Sequence, residues 1–155
     1  MIKPTRISYG GTAAIVTSMG MIAGLEAAHA GQAAIISALL IAAISDNLTD
    51  SLSIIMYQES ERLEKRESRA DTLANFATRL ILCLSFVPIV LLWRGSTAAL
   101  AGIVWGSFLL AVLSSILARL RKVSLLPNVA KHLAVALVVI FVSRIIGQGI
   151  GWLVT

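Results

Sequence analysis

The residues of this sequence that can do chemistry are few and oddly placed. In "AISDNLTDSLS", residues 43–53, Asp46, Asn47 and Asp50 stand among side chains that are mostly apolar. Asp46 and Asp50 are one helical turn apart, so a helix puts both carboxylates on one face. Ser53, Tyr57 and Glu61 continue that face, and Asn47 and Thr49 widen it. An aspartate at the centre of a membrane helix costs on the order of 3 kcal/mol to insert, so a pair of them needs partners, protons or a bound cation. Two arrangements meet that need. One is a cation or proton pathway; the other is a polar seam between helices, in which a protonated carboxyl hydrogen-bonds with Asn47 or Ser53.

The elements that hold these groups are expected to be membrane helices. The chain has 155 residues, 57% of them hydrophobic and 14% charged, with a mean hydropathy of +0.88. Soluble domains carry about 25% charged residues. Apolar blocks cover about 7–28, 32–57, 74–93, 98–118 and 129–153, each near the roughly 20 residues a helix needs to cross the hydrocarbon core. The expectation is one all-α integral membrane domain over 1–155, with five transmembrane helices set in lipid and no internal repeat.

The net charge of +5 does not point to nucleic acid, because the basic residues lie between apolar blocks and not on a soluble face. Lys3 and Arg6 precede the first block. Arg62, Lys65, Arg66, Arg69 and Arg79 surround the second connection, and Arg119, Arg121, Lys122 and Lys131 the fourth. The positive-inside rule then puts the N-terminus in the cytoplasm and the C-terminus outside. "MIKPTR" followed by an apolar run and "AHA" imitates a secretory signal, but the run is long and contains Glu26, so it is read as a retained helix. The compact, tail-free chain suggests a bacterial or archaeal plasma membrane. Cys83 is the single cysteine, which rules out an intrachain disulfide.

The connections and helix faces are also legible. "HAGQ" is short enough to force an antiparallel hairpin between the first two blocks. The stretch from Tyr57 to Phe76 has no Gly or Pro and pairs Glu61 with Lys65, so the second block should continue as a helix into a connection at about 58–73. Pro88 should kink the third block, and Pro127 should open the fifth in its first turn. Gly20 and Gly24, Gly102 and Gly106, and Gly147 and Gly151 have the spacing that lets helices approach closely. Trp93, Trp152, Tyr9 and Tyr57 fall where an aromatic belt would.

Other charged and ligating groups yield weaker expectations. Arg144 lies too deep to snorkel comfortably, and Glu26 is its expected partner. Glu59, Glu61, Glu64, Glu67 and Asp71 are nearly neutralised by interleaved basic residues, the pattern of a solvated helix. His29 and His132 fall on opposite sides of the membrane. Met19, Met21 and Met56 read as apolar filling. Transport of an organic cation would want more aromatic lining than Trp105 and a few Phe supply. No nucleophile, base and oxyanion donor can be assembled into an enzyme site, and no cofactor is expected.

The order of these features resembles the vacuolar iron transporter family, which includes the yeast calcium cross-complementer and the plant nodulin-like proteins. The resemblance covers nearly the whole chain. It rests on "TSMGMIAGLEAA" in the first block, "ALLIAAISDNLTDSLS" in the second, "LANFATRLILCLSFVPIVLLW" in the third, and the closing "LARLRKVSLLPNVAKHLAVALVVIFVSRIIGQGIG". It implies a homodimer that moves Fe²⁺ or Mn²⁺ out of the cytoplasm in exchange for protons, along a path between protomers with the first two helices near the dimer axis. Asp46 and Asp50 fall at metal-binding positions of the family pattern, and Asn47, Ser53 and Glu61 lie along the cytoplasmic approach. Three departures stand out. Ala13 and Ala14 replace the family's Asp-Gly, Ile54 replaces a methionine, and the cytoplasmic metal-collecting insert is missing. An oxygen-rich site of this kind suits Mn²⁺ or Mg²⁺ better than a softer ion.

Overall fold

The computed structural model of the chain describes the backbone of residues 4–60 and 65–154, and the side chains of residues 10–53, 55–56 and 73–154. Among the described residues the chain is helical, with no strand. Its helices are α1 (Pro4–Ala27), α2 (Gln32–Ser60), α3 (Lys65–Leu84), α4 (Val87–Leu92), α5 (Ser96–Arg121) and α6 (Leu125–Val154). The α1–α2 hairpin is as tight as expected, and α2 continues as a helix to Ser60.

The segments Gln32–Ser53, Leu73–Leu92, Ser96–Arg121 and Leu125–Val154 are long and apolar enough to cross a membrane. Their outward faces carry Ile41, Leu48, Ile81, Leu100, Phe108, Leu137 and Phe141 in exposed positions, as expected of helices whose solvent is lipid. This is an all-α membrane protein.

The first block has a different place. α1 packs against α6, α5 and α3 and, over a shorter length, α2. Ile15, Met19 and Ile22 of α1 are buried against Ile35 and Leu39 of α2, Phe86 and Val90, Leu110 of α5, and Ile140 of α6. Met19 is therefore core filling, as its apolar setting suggested. Small residues make the enclosure possible. A Cβ at Gly147 would strike the carbonyl oxygen of Gly24, and one at Gly106 would strike the Met19 side chain. The paired glycines are thus the contact points of α6 and α5 with α1.

The third block departs from expectation. Instead of one kinked helix it forms two, with a turn at Ser85 and Phe86. Pro88 cannot donate to the Leu84 carbonyl, and its ring crowds that oxygen. The Phe86 amide turns back to the Cys83 carbonyl at 3.1 Å. Ser85 Oγ donates to the Leu82 carbonyl at 2.6 Å and accepts the Trp105 indole N–H at 3.1 Å. The Gln32 side-chain amide donates to the carbonyls of Val90 and Leu91, which the end of α4 leaves without helical partners. Pro127 lies in the first turn of α6, as expected, although that helix begins at Leu125.

Candidate functional site

The polar residues of α2 meet α3 through the Asp50–Arg79 ion pair, and α3 meets Gly10 of α1 at the same arginine. Asn47 and Asp50 lie about one turn apart on α2, and Asn75 and Arg79 one turn apart on α3. The Arg79 guanidinium forms an ion pair with the Asp50 carboxylate. Arg79 keeps only 7% of its surface exposed, while Asp50 is half-buried. Arg79 lies within the apolar segment Leu73–Leu92 and not at its edge.

The two asparagines are buried, Asn47 at 1% and Asn75 at 5% exposure. Asn47 Nδ2 donates to the Ala43 carbonyl at 2.5 Å, while Asn47 Oδ1 and Asn75 Oδ1 have no hydrogen-bond partner. Gly10 of α1 closes the cluster from above. A Cβ there would collide with Asn75 Oδ1 and lie 2.9 Å from Arg79 Cδ, so α1 crosses α3 here only because the residue has no side chain.

The other expected site residues separate. Asp46 is exposed on the flank of α2 and makes no ion pair among the described residues. It lies within electrostatic reach of Cys83, which also feels Arg79. Ser53 is exposed, and its hydroxyl donates to the Thr49 carbonyl at 2.9 Å, folding back on its own helix. Glu61 lies outside the described residues, as does the side chain of Tyr57. The structure thus joins Asn47 and Asp50 and leaves Asp46 one turn away facing outward.

Two further expectations are tested by position. Glu26 and Arg144 make no ion pair among the described residues, and Arg144 is exposed on α6. Glu26 instead lines a cavity of about 480 Å³ with His29, Trp93 and Arg94, at the α1–α2 turn. His132 is 2.7 Å from Ser114 Oγ through Nδ1, at the junction of α5 and α6. Among the described residues no three His, Cys, Asp or Glu side chains converge as a ready metal centre. Any hard cation held here would depend on amide oxygens and carboxylates together.

Asn75, Arg79 and Gly10 are the members that reading the sequence missed. The signal was available, since Asn75 and Arg79 repeat the one-turn spacing of Asp46 and Asp50. No family model, no curated protein and no solved structure matches this chain.

Proposed function

We propose that this protein is a divalent-metal transporter that exports Fe²⁺ or Mn²⁺ from the cytoplasm in exchange for protons, as a homodimer of five-span protomers with the N-terminus inside. The observation that carries this reading is the α2 pair. Asp50 is held by Arg79, and one turn away Asp46 is exposed on the α2 flank that also carries the exposed Thr49 and Ser53. A carboxylate facing lipid is costly, and in the membrane such groups face a protein interior or a watered pathway. A second copy related by a two-fold axis would cover that flank and bring two Asp46/Asp50 pairs together. The sequence resemblance supplies the choice of ion and the direction. α1 counts as the fifth span because its polar and small residues are shielded by α3, α5 and α6. The host is taken to be a prokaryotic plasma membrane.

A second reading has its own support. The Asp50–Arg79 pair already neutralises one aspartate, and a buried pair of this kind can serve only to lock α2 against α3. On that reading the protein is a structural or regulatory membrane component. The deciding experiment measures Fe²⁺, Mn²⁺ and proton fluxes in sealed liposomes for wild type, Asp46→Asn and Asp50→Asn. Opposed metal and proton fluxes that both variants abolish are expected. No flux above empty liposomes from folded dimer would overturn transport and leave the seam.

A further inference from the structure

We propose that the cavity between the α1–α2 turn and the α4–α5 turn binds a phosphoethanolamine group, with the ammonium at Glu26 and Gln32 and the phosphate at Arg94. The inference stands apart from the transport reading, since none of these residues belongs to the Asp46/Asp50 region.

The cavity walls come from two turns, each closed by its own backbone bonds. The amides of His29 and Ala30 return to the carbonyls of Glu26 and Leu25, both at 2.9 Å, and end α1. The Trp93 amide returns to the Ile89 carbonyl at 3.0 Å and ends α4, and the Ala98 amide reaches the Gly95 carbonyl at 3.0 Å as α5 begins. Gln32 joins the two turns, because its side-chain amide donates to the carbonyls of Val90 and Leu91. The space between them is about 480 Å³, within the range of small-molecule sites.

Charge of both signs in one cavity is the first reason. Glu26 is half-buried and Arg94 exposed; both line the cavity, and neither side chain makes an ion pair or hydrogen bond among the described residues. An acid and a base that share a cavity without pairing suit a ligand that carries both charges. Both N–H donors of Gln32 go to the α4 carbonyls, which leaves its carbonyl oxygen as a second acceptor beside Glu26. A primary ammonium has three N–H groups for such acceptors. A quaternary ammonium has none and wants an aromatic cage, which Trp93 alone does not make. A guanidinium in turn takes a phosphate through paired N–H donors. A metal ion fits less well, because Glu26 and His29 are only two ligands and Arg94 repels a cation.

Location is the second reason, and it favours phosphate over a carboxylate as the anion. Three apolar segments begin or end at this cavity: Gln32–Ser53 starts there, Leu73–Leu92 stops there and Ser96–Arg121 starts there. That boundary is the level of lipid headgroups, where a tryptophan such as Trp93 belongs. Leu91 and Leu92 are exposed beside it and offer an apolar surface to acyl chains. The group is therefore carried by a phospholipid or arrives as the free zwitterion, with the same contacts in either case.

The test is native mass spectrometry of the detergent-solubilised protein as wild type, Glu26→Gln and Arg94→Gln. Each is titrated with phosphatidylethanolamine, phosphatidylcholine and phosphatidylglycerol of matched chains, and with free phosphoethanolamine. Wild type should bind one phosphatidylethanolamine per chain about tenfold more tightly than the other lipids. Glu26→Gln should bring it down to the level of phosphatidylcholine. Arg94→Gln should weaken the ethanolamine and choline lipids alike, by about tenfold; since Arg94 is exposed and unpaired, this variant decides if Glu26→Gln does not fold. A headgroup preference without binding of free phosphoethanolamine would make the lipid the occupant. Binding of free phosphoethanolamine that both variants lose, without preference among the lipids, would make it the soluble zwitterion. Equal affinity for the three lipids with no binding of the free compound, or a preference that survives both variants, would overturn the site whatever the metal fluxes show.

Discussion

The guanidinium of Arg79 on α3 closes on the carboxylate of Asp50 on α2, at a level where Gly10 of α1 leaves no room for a side chain. One ion pair therefore ties α2 to α3 beneath the helix that organises the fold. Removing either partner leaves a charge without its counterion. Breaking a fully buried pair costs about 3–5 kcal/mol, and the half-buried state of Asp50 places this one nearer 2 kcal/mol. Arg79→Ala should show that loss in denaturant unfolding. Asp50→Asn combined with Arg79→Gln should recover about half of it. A double variant no more stable than Arg79→Ala would mean that the stems, and not the charges, hold the helices.

Asp46 should respond in the opposite way. It makes no ion pair among the described residues and lies on an exposed flank of a membrane helix, so Asp46→Asn should leave stability unchanged or raise it. Metal flux in liposomes should nevertheless fall below detection. Asp50→Asn should lose both flux and stability. Flux retained by a well-folded Asp46→Asn would remove Asp46 from the pathway.

The contrast between these aspartates shows what a linear reading can and cannot reach. Helical spacing placed Asp46, Asn47 and Asp50 within about one turn, and of the five apolar blocks that hydropathy marked, four are helices long and apolar enough to cross a membrane among the described residues. Partner choice was beyond it. Arg144 was given Glu26 because both were expected near the outer surface, whereas the arginine that found an acid was Arg79, which had been counted with the basic connection. Linear distance from a span end does not tell whether a long side chain runs toward water or between helices. Pro88 was likewise legible as a disturbance, but not the hydrogen bond that Ser85, at the full break, accepts from Trp105, a residue of another helix.

The glycines separate two kinds of close approach. A Cβ at Gly147 would meet the backbone oxygen of Gly24, which cannot move without shifting α1. At Gly106 the obstacle is the Met19 side chain, which can change rotamer. Gly149 has nothing within 4 Å. Gly147→Ala should therefore destabilise by more than about 2 kcal/mol, Gly106→Ala by about 1 kcal/mol, and Gly149→Ala should be neutral or stabilise by up to about 1 kcal/mol through helix propensity. Unfolding midpoints in detergent would rank them. Equal effects at Gly147 and Gly149 would contradict the α1–α6 contact.

The turn between α3 and α4 should depend more on Ser85 than on Pro88. Ser85 Oγ satisfies the Leu82 carbonyl and receives the Trp105 N–H, while the turn delivers Phe86 into the core with none of its surface exposed. Pro88→Ala restores a donor but leaves these bonds and the buried ring in place, so the break should persist with a stability change under about 1 kcal/mol. Ser85→Ala leaves both the carbonyl and the indole short of a partner in an apolar setting, at a cost of about 1–3 kcal/mol. Trp105→Phe removes the indole donor alone and should cost about 1 kcal/mol. Thermal unfolding of the three variants would establish the order, and a Pro88→Ala loss larger than that of Ser85→Ala would show that the ring, and not the hydroxyl, maintains the turn.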